Sequence, residues 1–304
     1  MQSFKLKGVI PPVPTIVDQT GAFDPKGMAA LLEREVAAGI HGLLILGSGG
    51  EFCHMNTAMR KEVAEFCVRQ VAGRIPVLIG IGASATAEVI ELGRHAQSCG
   101  ADAVLVVNPY YATLSQRALI QHYKTVAAAV DLPILLYNFP ALTGQELTVD
   151  LVQELALACP NIVGIKDTVD TMSHTRALVT EVKGARPDFL VFSGFDEYML
   201  DTLLIGGDGG IPATANFAPE VTLGIYDAIE AGDFTKMRAH ARRLARLMPI
   251  YGLDQPFFGL VKEAIRLTGS DLSMAVLAPS LPPSAENKHR LVTVLRGAGV
   301  LPSA

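Results

Sequence analysis

The chain has 304 residues, half of them hydrophobic, with 25 Lys and Arg against 30 Asp and Glu for a net charge of -5. That length suffices for one large domain with an appendage and a core that needs neither disulfides nor a structural metal. The acidic balance without a Lys/Arg cluster argues against a nucleic-acid partner, and no stretch approaches the roughly 18 consecutive apolar residues of a membrane span. Met1-Gln2-Ser3-Phe4-Lys5 has no apolar signal core, and Cys53, Cys67, Cys99 and Cys159 lack CxxC spacing. The expectation is a soluble, cytoplasmic protein whose cysteines are reduced and mostly small apolar fillers.

From Gly8 onward, short runs rich in Val, Ile and Leu alternate with stretches of helical period, the pattern of consecutive βαβ units. Eight runs are read as strands: residues 9–16, 42–46, 76–79, 103–107, 133–137, 162–166, 189–193 and 209–211. Helices between them open with capping residues and acids, such as Asn56-Thr57 before Glu62 and Asp150 before Glu154. Because the strand runs are apolar throughout rather than alternating, both faces should be covered, as in a parallel sheet. Eight repeats, with polar clusters after most strand ends, favour a (β/α)8 barrel over an open sheet, and the clusters then share one mouth. Residues 1–231 are assigned to this barrel and residues 232–304 to a strandless helical layer. Its arginines Arg238, Arg242, Arg243 and Arg246 are read as a solvated face or a subunit contact.

Two motifs imitate other chemistries. Gly80-Ile81-Gly82-Ala83-Ser84-Ala85 follows a strand, with Asp102 about 20 residues on, as in a dinucleotide-binding turn. That fingerprint belongs to the first unit of an open sheet, whereas this is the third of eight, so a tight βα turn is the better reading. The seven histidines form no HxH or HxxxH pair, and none is expected at a strand end beside carboxylates. A metal-dependent mechanism, which needs such ligands, is therefore not favoured, and no cofactor is implied.

Lys166 is the most informative residue. It ends the apolar run Ile162-Val163-Gly164-Ile165, at the strand end where a barrel places catalytic groups. Partial desolvation there disfavours the ammonium and frees the amine to attack a carbonyl; the alternative is a strand-end lysine that reaches solvent or pairs with Asp167. Tyr137 ends the preceding apolar strand, Ile134-Leu135-Leu136, so its phenol can enter the same mouth. Alone it would read as a packed aromatic; beside Lys166 it reads as a proton shuttle for an imine. Gly47-Ser48-Gly49-Gly50-Glu51 leaves a strand, and such a loop can offer backbone N–H groups and a hydroxyl to a carboxylate, or be an ordinary glycine-rich turn.

Together with Asn108-Pro109-Tyr110-Tyr111, Tyr137-Asn138-Phe139-Pro140 and Gly164-Ile165-Lys166-Asp167, this loop resembles the dihydrodipicolinate synthase / N-acetylneuraminate lyase family, in order over nearly the whole chain. The resemblance implies a pyruvate-type Schiff base on Lys166, Tyr137 as proton shuttle, and the carboxylate held at Ser48 and Gly49. It also implies Tyr111 lent across a dimer interface, a tetramer of paired dimers, and Gly194 and Ile211 lining the pyruvate pocket with their backbone.

The departures narrow the branch. The synthases usually carry Thr-Thr where this chain has Ser48-Gly49, and an arginine for a second carboxylate where it has Leu142. Gly194-Phe195-Asp196-Glu197 resembles the sugar-acid aldolases and sialic acid lyases, although Ala213 replaces an expected serine. The chain is most similar to aldolases for 2-keto-3-deoxy sugar acids such as 2-keto-3-deoxygluconate. Thr168, Asp196 and Glu197 are then expected to meet the hydroxylated tail. The implied reaction is reversible cleavage to pyruvate and a hydroxyaldehyde. The alternatives are synthase-type condensation, N-acetylneuraminate lysis, and a non-catalytic binder of 2-oxo acids.

Overall fold

The computed structural model describes residues 4–302. Its strands are β1 (Gly8–Val9), β2 (Leu43–Ile45), β3 (Val77–Gly80), β4 (Ala103–Val107), β5 (Ile134–Asn138), β6 (Ile162–Asp167), β7 (Leu190–Ser193) and β8 (Gly209–Gly210). All pair in parallel, each with its sequence neighbour from β2 to β8, and β8 pairs with β1. A parallel bridge between Pro12 and Leu44 closes the ring. Helices stand between the strands, so the wall is covered and every strand residue but the partly buried Val163 is buried, as the uninterrupted apolar runs require. The fold is a (β/α)8 barrel.

The first run departs from expectation. Of residues 9–16 only Val9 joins a strand, because Pro11, Pro12 and Pro14 have no N–H to give a ladder. The segment still completes the wall through its other groups. Leu44 N donates to Pro11 O at 3.0 Å, and Val13 N donates to Leu44 O at 2.9 Å. At the β8–β1 seam, Gly209 sits at φ 155°, and a Cβ there would strike the Gly8 backbone.

Helix starts follow local chemistry. Asn56 caps Thr57–Val71 by accepting from Met59 N at 2.9 Å. Val149–Ala158 is capped by Thr148, which accepts from Leu151 N; Asp150, expected at that start, lies inside the first turn, where its charge complements the helix dipole. Asp102, spaced like a ribose-binding acid, instead takes Val77 N at 2.8 Å and secures the start of β3.

After the barrel the described residues form three further α-helices, Phe234–Leu247, Phe258–Leu267 and Ala285–Gly297, here called the helical layer. Two of its arginines are more occupied than a solvated face implies. Arg243 pairs with Glu220 at 2.8 Å and donates to Ala298 O at 3.1 Å, and Arg246 donates to Gly297 O at 3.3 Å. They satisfy carbonyls left open where Ala285–Gly297 ends. Among the described residues no helix is long and apolar enough to cross a membrane.

Candidate active site

Parallel strands in a closed ring end on one rim, so the polar residues that terminate the apolar runs converge there. Tyr137 on β5 and Lys166 on β6 are direct register partners, both nearly fully buried, with Lys166 only 4% exposed. The Lys166 Nζ stands 4.4 Å from the centroid of the Tyr137 ring. The Tyr137 hydroxyl lies 3.3 Å from Ser48 Oγ, so amine, phenol and serine hydroxyl line one cavity of about 330 Å³. Gly49, Thr168, Gly194 and Ile211 line it too.

Gly194 has a local reason to be glycine: a Cβ would collide with the Thr168 hydroxyl and crowd the Asp167 carbonyl. The Thr168 hydroxyl is buried and has no partner among the described residues, which leaves it free for a bound molecule. Among the described residues, three of the four non-glycine residues with positive φ, Leu46, Glu51 and Tyr111, sit on loops that leave the strand ends, and Leu46 and Glu51 bracket the Gly47–Gly50 turn. Such strain persists where surrounding contacts over-determine it, often at functional sites.

Other expected residues lie differently. Asp196 lines the cavity, but its carboxylate accepts from Thr214 N at 2.8 Å, Ala213 N at 3.2 Å and Tyr251 Oη at 2.8 Å. Complete burial raises its pKa, against these donors, which lower it. Three protein donors leave it little capacity for substrate hydroxyls, and its evident work is to tie the β7 and β8 loops to the helical layer. Glu197 is not among the lining residues. Burial, with Asp170 and Asp196 nearby, raises its pKa. Tyr111 is 102% exposed at φ 79° and stands outside the cavity of its own chain.

Sequence reasoning missed the roof. Tyr251, Asp254, Gln255, Pro256, Phe257 and Phe258 from the helical layer cover the cavity, and among the described residues Lys166 is the only lysine or arginine in the lining. The aromatic pair Phe257-Phe258 was the available signal. One histidine does meet a strand-end carboxylate, from the helix Met172–Ala177. His174 places Nδ1 3.0 Å from the carboxylate of Asp167, the last residue of β6. Burial lowers its pKa, but Asp167, Glu146 and the Leu147 carbonyl outweigh burial and raise it. Asp167 also accepts from Asn138 Nδ2 at 2.9 Å and Thr175 Oγ1 at 2.8 Å, which joins the ends of β5 and β6 beside the Tyr137–Lys166 pair.

Residues 5–298 match the model of the dihydrodipicolinate synthetase family. The chain belongs to that family. It is 46% identical over 295 residues to an Escherichia coli (strain K12) protein named "Putative 2-dehydro-3-deoxy-D-gluconate aldolase YagE", covering 97% of this chain and 98% of the relative. A second protein of that strain, "Probable 2-dehydro-3-deoxy-D-pentonate aldolase YjhH", is 44% identical over 298 residues, covering 98% and 99%. The crystal structure of YagE in complex with pyruvate superposes with a TM-score of 0.96 at 45% identity, covering 97% of this chain and 99% of that one. Among family members, then, this chain is similar to proteins named for 2-keto-3-deoxy sugar acids.

Proposed function

We propose that the protein is a carbon–carbon lyase that reversibly cleaves a 2-keto-3-deoxy sugar acid to pyruvate and a hydroxyaldehyde through a Schiff base on Lys166. The observation that carries this reading is the buried Lys166 amine beside Tyr137, whose hydroxyl is 3.3 Å from Ser48 Oγ in a single cavity. The full-length similarity to YagE and YjhH supports the substrate class.

The Lys166 amine adds to the C2 carbonyl, and Tyr137 gives its proton to the departing hydroxyl, leaving water, an iminium and a phenolate. The phenolate then takes the C4 hydroxyl proton. The C3–C4 bonding electrons move into the iminium, and the aldehyde departs. Protonation of the resulting enamine at C3 and hydrolysis of the imine return pyruvate, Lys166 and Tyr137. Ser48 Oγ supplies a second station for the shuttled proton, and Ser48 with the Gly49 backbone anchors the substrate carboxylate. Thr168, with its unpartnered hydroxyl, meets the tail.

Synthase-type condensation is disfavoured by the cavity. Leu142, 60% exposed at the rim, stands where the resemblance expects an arginine, and among the described residues no other lysine or arginine lines the cavity to receive another carboxylate. The exposure and left-handed backbone of Tyr111 support its being lent to a second copy, within a homotetramer built as a dimer of dimers. The protein works in the cytoplasm.

The test is incubation with pyruvate and borohydride, followed by peptide mapping. A stable mass gain on Lys166, absent from Lys166→Ala, is expected. Pyruvate bound without modification of Lys166 sinks the mechanism.

A further inference from the structure

A second lysine is buried near the cavity. Lys262 lies one helical turn after Phe258 on the helix Phe258–Leu267, so Phe258 faces the cavity while Lys262 reaches the loop behind it. Its Nζ is 2.6 Å from Glu51 Oε1 and 2.6 Å from Ala275 O, and both charged side chains are 0% exposed. The other Glu51 carboxylate oxygen accepts from Leu277 N at 2.7 Å. Glu51 ends the turn that carries Ser48 and Gly49: its N–H donates to Ser48 O at 3.1 Å, and it holds φ 62°.

A left-handed glutamate is sterically disfavoured and persists only where surrounding contacts hold it. A buried ion pair is seldom a net source of stability, because desolvation offsets the attraction of the charges. What the pair does fix is where the Ser48 turn sits relative to the roof. The neighbouring turn is tied to the same layer, with His54 Nδ1 3.4 Å from Ser280 Oγ and its ring against Phe258.

We infer that Glu51 and Lys262 are positioning residues that hold Ser48 and Gly49 at the cavity wall, so that the helical layer sets the geometry of the carboxylate and proton-relay site. The inference rests on the Schiff-base reading of Lys166. Neither residue lines the cavity. Their effect reaches the chemistry through the Ser48 hydroxyl, 3.3 Å from that of Tyr137.

The test uses the full chain with the neutral double substitution Glu51→Gln/Lys262→Met, which removes both charges while glutamine still accepts from Leu277 N. Glu51→Gln alone is the second variant should the double fail to fold. Pyruvate-dependent borohydride trapping on Lys166, with KM and kcat, is measured for each folded variant, for Ser48→Ala, and for the combination. Expected is a loss of roughly tenfold to hundredfold in the rate of imine formation, the scale of a misplaced reacting group, with no further loss when Ser48→Ala is added. Wild-type trapping in a folded variant, or losses that multiply with that of Ser48→Ala, overturns the inference. If the wild type itself forms no adduct, the aldolase reading fails, and amide hydrogen exchange of residues 48–51 decides this point instead. Equal protection in variant and wild type then refutes positioning; faster exchange in the variant upholds it.

Discussion

Tyr137 and Lys166 face each other across the β5–β6 ladder as Cα register partners, and the Lys166 Nζ lies 4.4 Å from the tyrosine ring centroid. Register partners on neighbouring parallel strands point to the same side, so the tyrosine ring walls the amine, and the proposed proton shuttle is its hydroxyl. These two roles separate under mutation.

Tyr137→Phe keeps the wall and removes the hydroxyl. The melting temperature should hold while kcat for aldol cleavage falls about 10²–10⁴-fold, the usual contribution of a positioned proton-transfer group. Steady-state kinetics with thermal melts of both proteins check this, and an unchanged kcat would remove Tyr137 from the proton path.

The cavity's charge predicts its preferences. Asp196 and Asp254 line it, and among the described residues Lys166 is the only lysine or arginine that does. An aldehyde bearing hydroxyls should therefore outcompete one bearing a carboxylate or a phosphate. In the condensation direction, glyceraldehyde should be preferred over both glyceraldehyde 3-phosphate and aspartate semialdehyde by kcat/KM. Leu142→Arg should narrow the gap for aspartate semialdehyde several-fold by offering its carboxylate a charge-assisted partner. An unaltered ratio in that variant would mean that Leu142 does not face the tail.

The barrel and its central pair were legible because each is written locally. Lys166 and Tyr137 each end a continuous apolar run, and in a barrel such run ends share a rim. The shortness of β1 was also written, in three prolines, but hydrophobicity masked it. The roof was not legible, since contacts such as Tyr251 to Asp196 join residues 55 apart, and Leu277 to Glu51 residues 226 apart. No periodicity records which helix folds back over a mouth. Asp196 shows the same limit: its residue type suits substrate hydroxyls, but backbone and Tyr251 donors already occupy its carboxylate.

His174 should make stability pH-dependent. Nδ1 faces Asp167 at 3.0 Å and Nε2 faces the Leu147 carbonyl at 3.1 Å, so both nitrogens meet acceptors, an arrangement that suits the imidazolium. With its folded pKa raised above 6.5, the contribution is complete below about 6.5 and is lost as pH rises through the folded value. Denaturant titrations of wild type and His174→Gln should differ most at acidic pH and converge towards alkaline pH. A difference independent of pH would show that the ring acts by packing alone.

Glu35 should also make stability fall as pH rises. It lies on the helix Pro25–Ala37, 1% exposed, and neither carboxylate oxygen has a hydrogen-bond partner among the described residues. Burial raises its pKa to about 8, only partly countered by Arg34. Between about 4.5 and about 8 the folded chain holds a proton that the unfolded chain has released, so stability falls as pH rises across that window. Each pKa unit corresponds to about 1.4 kcal/mol, so the full effect is on the order of several kcal/mol. Glu35→Met preserves length and apolar packing without a titrating group. Its melting temperature relative to wild type should therefore climb from pH 5 to pH 9. A gap that stays constant over that range would mean that Glu35 finds water or a partner when it ionises.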